Sequence, residues 1–154
     1  MIKGDLLALA QRVAAAHELP AEIVCGMIER EATENQWAVR YEPGFMSKYV
    51  AAQYTSGKIS VTEAYTRSMS WGLMQIMGQT AREFGFTGAF LSELCDPPIG
   101  IEYACRKLTD CLRRAKGDMA AALESYNGGS NPAYGNEVLA LAAPYRLTPN
   151  VTKA

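Results

Sequence analysis

Apolar residues recur at helical spacing through most of this chain, most clearly over residues 97–116. Ile101, Ala104, Cys105, Leu108, Cys111, Leu112 and Ala115 fall on one stripe there, so this segment is expected to form a central core helix. The same periodicity predicts helices over about 5–16, 20–31, 44–54, 60–67, 70–84, 118–127 and 134–143. Their starts have local causes. Asp5 can cap the first, and Pro20 sits where a helix tolerates proline. Asp96-Pro97-Pro98 and Gly117-Asp118 mark later starts, and Gly128-Gly129-Ser130-Asn131-Pro132 is a loop. Strand signals are weak. Short extended pieces around 36–42 or 56–61 would give at most a small sheet. The expected fold class is mostly α, and the 154 residues are read as one domain with a real core.

Composition narrows the function classes. About half the residues are apolar and a fifth charged, and the net charge is -1. That balance argues against a nucleic-acid partner, which needs clustered Lys and Arg. The short basic run Arg113-Arg114-Ala115-Lys116 reads as a charged helix end complementing the dipole, although it could attract an anionic surface. No apolar run is long enough to span a bilayer, so no stable membrane insertion is expected. The first twenty residues lack the pattern of a secretory signal, so the chain is expected to fold in the cytoplasm or to have been trimmed. Cys25, Cys95, Cys105 and Cys111 form no CxxC pair and His17 is remote, so no metal site and no cofactor is expected. Cys105 and Cys111 lie on the apolar stripe and read as buried free thiols, with a disulfide left open.

Three segments carry candidate chemistry. In the second helix Ile23, Val24, Met27 and Ile28 form the apolar stripe, and Glu31 continues it at the C-terminal end. Burial and the negative end of the helix dipole would both raise its pKa, leaving an acid able to protonate a glycosidic oxygen. The alternative is a buried ion pair, for instance with Arg40. Glu22 and Glu29 lie on another face and read as solvated charges. In the segment Ser70 to Met77, Leu73, Ile76, Met77, Thr80, Ala81 and Phe84 form the expected buried stripe. Trp71, Gly72 and Gln75 share another face, where an aromatic could stack on a sugar, a glycine admit a ligand and an amide bind hydroxyl or N-acetyl groups. The alternative is a plain helix start with Ser70 as cap. In Glu124-Ser125-Tyr126-Asn127-Gly128-Gly129, Tyr126 shares a stripe with Met119, Ala122 and Leu123, and Asn127 with its glycines fits a helix end with a left-handed residue.

Together these pieces resemble the soluble lytic transglycosylases, a lysozyme-like family. The family pattern of a glutamate, an Asn four residues on and then Ala-Val appears as Glu31, Asn35, Ala38 and Val39. Gly-Leu-Met-Gln-Ile-Met is Gly72 to Met77, followed by Thr80-Ala81. Tyr-Asn-x-Gly is Tyr126, Asn127, Gly128 and Gly129, and the Asp-Pro stretch is Asp96-Pro97. The resemblance covers roughly residues 20–145. Two departures stand out. The serine usually following the glutamate is Ala32, and the stretch between Glu31 and Gly72 is longer than usual. That variant resembles compact phage endolysins, which places the chain in the host cytoplasm before release and then in the periplasm or cell wall.

The resemblance implies a monomer acting on peptidoglycan glycan strands, cutting the β-1,4 bond after N-acetylmuramic acid. Glu31 would serve as catalytic acid and then base, Tyr126 would orient it, and Gln75, Asn127 and Ser70 (or Ser68) would contact saccharide. A 1,6-anhydro product is expected. Hydrolysis would instead need a second carboxylate, for which Glu34, Glu42 and Asp96 are candidates. A non-catalytic wall-binding domain and a structural virion component are rivals from other classes.

Overall fold

The computed structural model describes residues 1–146. Helices α1 (Gly4–Ala16) and α2 (Ala21–Ala32) lead to strand β1 (Val39–Tyr41). A continuous helical run follows, comprising α3 (Pro43–Phe45), a π-helical turn Met46–Val50 and α4 (Ala51–Thr55), and then α5 (Val61–Arg67). Strands β2 (Met69–Trp71) and β3 (Ile76–Met77), helix α6 (Gly78–Glu83) and a 3-10 turn Leu91–Cys95 precede the long α7 (Pro97–Arg114). Helices α8 (Met119–Tyr126) and α9 (Tyr134–Ala142) and a 3-10 turn Ala143–Tyr145 complete the described chain. The mostly helical, lysozyme-like class is what the periodicity and the resemblance led one to expect.

The α7 stripe is buried as expected, with Ile101, Ala104, Cys105 and Leu108 without solvent exposure. It packs against α1 and α8, and all four cysteines are free and buried. Asp96 and Pro97 open α7, and Asp118 caps α8 by accepting from the Ala121 N–H. Asp5 does not cap α1. It lies in the first turn, after the cap position held by Lys3.

The principal departure from the sequence reading is the expected helix over 70–84, of which only Gly78–Glu83 is helical. The first part is a strand-turn-strand: β1, β2 and β3 form an antiparallel sheet in that order, with Val39 opposite Trp71 and Ser70 opposite Met77. The turn needs left-handed backbone at Gly72 (φ 67°) and Gln75 (φ 46°), which no helix contains. A side chain at Gly72 would also meet the Leu94 carbonyl oxygen at 2.5 Å. The glycine is therefore required by its contact with the 3-10 turn rather than by ligand approach. The other expected extended piece, 56–61, is a turn leading into α5.

The cleft depends on how closely α2 and α9 approach. A Cβ at Gly26 would lie 2.8 Å from the Val138 carbonyl oxygen and 2.9 Å from the Ala142 amide nitrogen. From there α2 runs toward Arg30 and Glu31 while α9 runs back toward Glu137 and Tyr134, so the two helices are antiparallel. Arg30 Nε donates to Glu137 Oε2 at 2.5 Å. On another side of α2 Glu29, expected as a solvated charge, instead accepts from the Tyr145 hydroxyl and the Ile2 amide and pairs with the chain's amino group. Gly26→Ala is expected to cost about 2 kcal/mol by overpacking, read by chemical denaturation. Activity per folded molecule should fall as well, because α9 must move away from the end of α2.

Candidate active site

A cleft of about 270 Å³ opens between the sheet, α7 and the α8–α9 loop. Glu31, Ser70, Gln75, Tyr126 and Asn127 all line it, so the fold gathers these five candidates around one cavity. Ser68 is fully buried, its hydroxyl donating to the Ala64 carbonyl, and does not reach the cleft.

Glu31 sits half-buried in the last turn of α2. Burial raises its pKa above the ordinary glutamate value, and a hydrogen bond from Tyr134 with the charges of Arg30, Arg40 and Lys107 only partly opposes the rise. No salt bridge to Glu31 occurs among the described residues. Arg40, the partner considered for it, is instead engaged with Glu42 at 2.5 Å. A carboxyl group in this setting can hold a proton at higher pH than an exposed glutamate and release it to a bound oxygen.

The tyrosine that orients Glu31 is not Tyr126. The Tyr134 hydroxyl donates to Glu31 Oε1 at 2.6 Å, whereas the Tyr126 hydroxyl donates to the Met74 carbonyl at 2.9 Å. Tyr126 lies on a stripe of α8 that faces the 72–75 turn, so it fixes that turn rather than the carboxyl. Tyr134 could have been found from its position. With Val138 and Ala142 it forms an apolar stripe at i, i+4 and i+8, placing its ring inward at the start of α9.

Gln75 is similarly committed to the frame. Its amide nitrogen donates to the Ala38 and Gly72 carbonyls, and its oxygen accepts from Ser70 Oγ at 2.8 Å. Both amide protons are thereby used within the protein. Trp71, considered as a stacking platform, is 6% exposed, with its indole N–H donating to the Thr66 carbonyl. It is a core residue. Asn127 donates to Ser130 Oγ and keeps right-handed helical backbone, while Gly128 and Gly129 supply the left-handed turn.

Lys107 was not anticipated. It projects from α7 into the cleft, lies 4.1 Å above the Tyr126 ring and donates to the Tyr126 carbonyl at 2.6 Å. Burial lowers its pKa. The α7 stripe points to the core, and Lys107 lies just beside it, a position that periodicity alone assigns to a solvated face.

A family description of the Transglycosylase SLT domain matches residues 13–138. The chain belongs to that family, the peptidoglycan lytic transglycosylases, which are lysozyme-like glycosidases. Its substrate is peptidoglycan. No curated protein and no solved structure matches the chain.

Two outcomes follow from the environment of Glu31. Tyr134→Phe removes the hydrogen bond that positions the carboxyl and favours its charged form. It is expected to lower kcat roughly 10- to 100-fold and to move the alkaline limb of the pH–rate profile upward, with the fold retained by circular dichroism. The second outcome concerns stability. The folded pKa of Glu31 lies above the unfolded value, so its contribution is intact below the unfolded pKa and is lost as pH rises through the folded one. Glu31→Gln is therefore expected to raise Tm relative to wild type above the folded pKa and to leave it unchanged at acid pH.

Proposed function

We propose that this enzyme cuts the β-1,4 bond between N-acetylmuramic acid and N-acetylglucosamine and closes a 1,6-anhydro ring on the muramoyl product. The observation that carries this reading is the state of the carboxylates on the cleft. Among the described lining residues these are Glu31 and Glu42, and Glu42 is held by Arg40. Glu34 lies exposed on left-handed backbone and lines a different cavity, and Asp96 sits exposed at the start of α7. One unpaired carboxyl group suits a reaction that needs no second carboxylate to activate water.

In this mechanism Glu31, whose protonated form desolvation favours, donates its proton to the glycosidic oxygen as the C1–O bond breaks. The sugar's own N-acetyl oxygen stabilises the cationic C1. Glu31, now a carboxylate, takes the proton from the C6 hydroxyl as that oxygen bonds to C1. Protons balance, and Glu31 ends protonated as it began. The intramolecular hydroxyl competes with water through its high effective concentration. Tyr134 orients the carboxyl through both stages, and Lys107 offsets its charge in the second. Ser70 and Gln75 hold the wall of the cleft, while Asn127 and the 128–130 loop offer polar contacts to saccharide.

We further propose that the protein is a monomeric phage endolysin. It would accumulate in the host cytoplasm and reach the wall after membrane lesions form, lysing the cell. The long segment between Glu31 and Gly72, as in compact endolysins, supports this. Among the described residues no helix is long and apolar enough to cross a membrane.

Mass spectrometry of digested sacculi tests the chemistry. Wild type is expected to release 1,6-anhydro-N-acetylmuramic acid ends, and Glu31→Gln to release them roughly 100- to 10,000-fold more slowly. Reducing ends alone would assign hydrolysis, with Glu42 as the water-activating group. Undiminished clearance by Glu31→Gln would overturn the role of Glu31. Cytoplasmic expression should leave cells intact until their membrane is permeabilised, and lysis without permeabilisation would count against the endolysin role.

A further inference from the structure

Exposed large hydrophobic side chains are distributed unevenly. Among the described residues all of them except Met1 and Phe90 lie between Trp37 and Tyr65, and most of that group are aromatic. This is the segment that lengthens the chain between Glu31 and Gly72, and three of its residues, Arg40, Glu42 and Phe45, already line the cleft.

One aromatic pair continues outward from that wall. Tyr49 lies about one helical turn beyond Phe45, with ring centroids 4.7 Å apart and planes tilted by 48°. Phe45 is half-buried on the cleft, whereas Tyr49 is 51% exposed. Both rings belong to the helical run whose Met46–Val50 turn is π-helical, a distortion that occurs frequently at functional sites. Lys48 lies 5.0 Å from the Tyr49 ring centroid, adding a positive charge beside it.

We propose that Phe45 and Tyr49 form a saccharide-stacking subsite that extends the cleft along the glycan strand and grips a sugar ring beyond the two flanking the cut bond. This rests on the reading of the cleft as the glycan-cleaving groove. A polymer substrate must leave the cavity across its rim, and here the rim carries a preassembled aromatic surface. A flat ring binds the apolar C–H face of a pyranose, and the Tyr49 hydroxyl adds a polar edge suited to a hydroxylated ligand. Phe45 lines the cleft itself and Tyr49 packs on it, so the pair is continuous with the groove, which favours a glycan strand over a lipid surface. Three of the exposed neighbours in this segment, Tyr41, Tyr54 and Tyr65, are also tyrosines.

The test is binding of Glu31→Gln protein, which does not digest its ligand, to purified sacculi by co-sedimentation. Adding Tyr49→Ala should weaken binding about tenfold. Tyr49→Phe should retain binding, and Tyr54→Ala, an exposed tyrosine of the same segment, should not affect it. Should Tyr49→Ala fail to give a cooperative thermal melt, Tyr49→Gln serves the same comparison. In otherwise wild-type protein Tyr49→Ala should raise KM on long strands about tenfold with kcat nearly unchanged. Equal binding by the Tyr49→Ala and Tyr54→Ala proteins would overturn the proposal. So would Tyr49-dependent binding to phosphatidylglycerol vesicles in place of sacculi, which would assign the pair to a membrane. Because sacculus binding is read in a protein with the Glu31 carboxylate removed, a hydrolytic product pattern would overturn the transglycosylation chemistry and leave this result standing.

Discussion

The close passage of α2 over α9 is the contact on which the cleft depends. Gly26 lets the two backbones approach to a distance that any side chain would prevent. That approach brings the last turn of α2 against the first turn of α9, where Tyr134 can reach Glu31. It also pairs Arg30 with Glu137, so the basic residue next to Glu31 is directed away from the carboxyl. A wider helix spacing would leave Glu31 hydrated, with an ordinary pKa and no fixed orientation.

The same contact separates two glutamates that the sequence places two residues apart. Glu29 meets Tyr145 and the chain's amino group at one side of α2, where it is held as a carboxylate. Glu31 faces the cleft, where desolvation outweighs the surrounding positive charges and its pKa rises. Opposite behaviour from adjacent carboxylates on one helix is a consequence of which face each occupies and what is packed there.

The segment between the two motif-bearing regions is not a loose flap. Glu63 receives hydrogen bonds from both Arg67 and Arg82, and Arg67 also reaches Gln53 and Gln79. This network ties α4 and α5 to α6, largely out of solvent. Arg82 continues it to the carbonyls of Phe86 and Gly88. Charges placed this way must be mutually satisfied, because each alone would carry a large desolvation cost. Their pairing anchors α4, the end of the helical run that begins with α3 and carries Phe45.

Helical periodicity by itself determined most of this fold. The boundaries of α1, α2, α5, α7, α8 and α9 follow from apolar stripes, prolines and an aspartate cap, all of which are local. The α7 stripe also determined that its thiols are buried, and the order of the motifs determined which residues gather at the cleft. Tertiary structure decided what local spacing does not encode. The segment starting at Ser70 has helical spacing, yet it pairs with Val39–Tyr41 as a strand, since a backbone hydrogen-bonding partner distant in sequence outweighs local propensity. Tyr134 rather than Tyr126 holds Glu31, because the choice depends on the spacing of α2 and α9 and on the Met74 carbonyl that Tyr126 meets first. The sequence placed an acid on an apolar stripe; its lack of a salt bridge depends on Arg30 and Arg40 being engaged elsewhere, and only the folded arrangement of charges decides that.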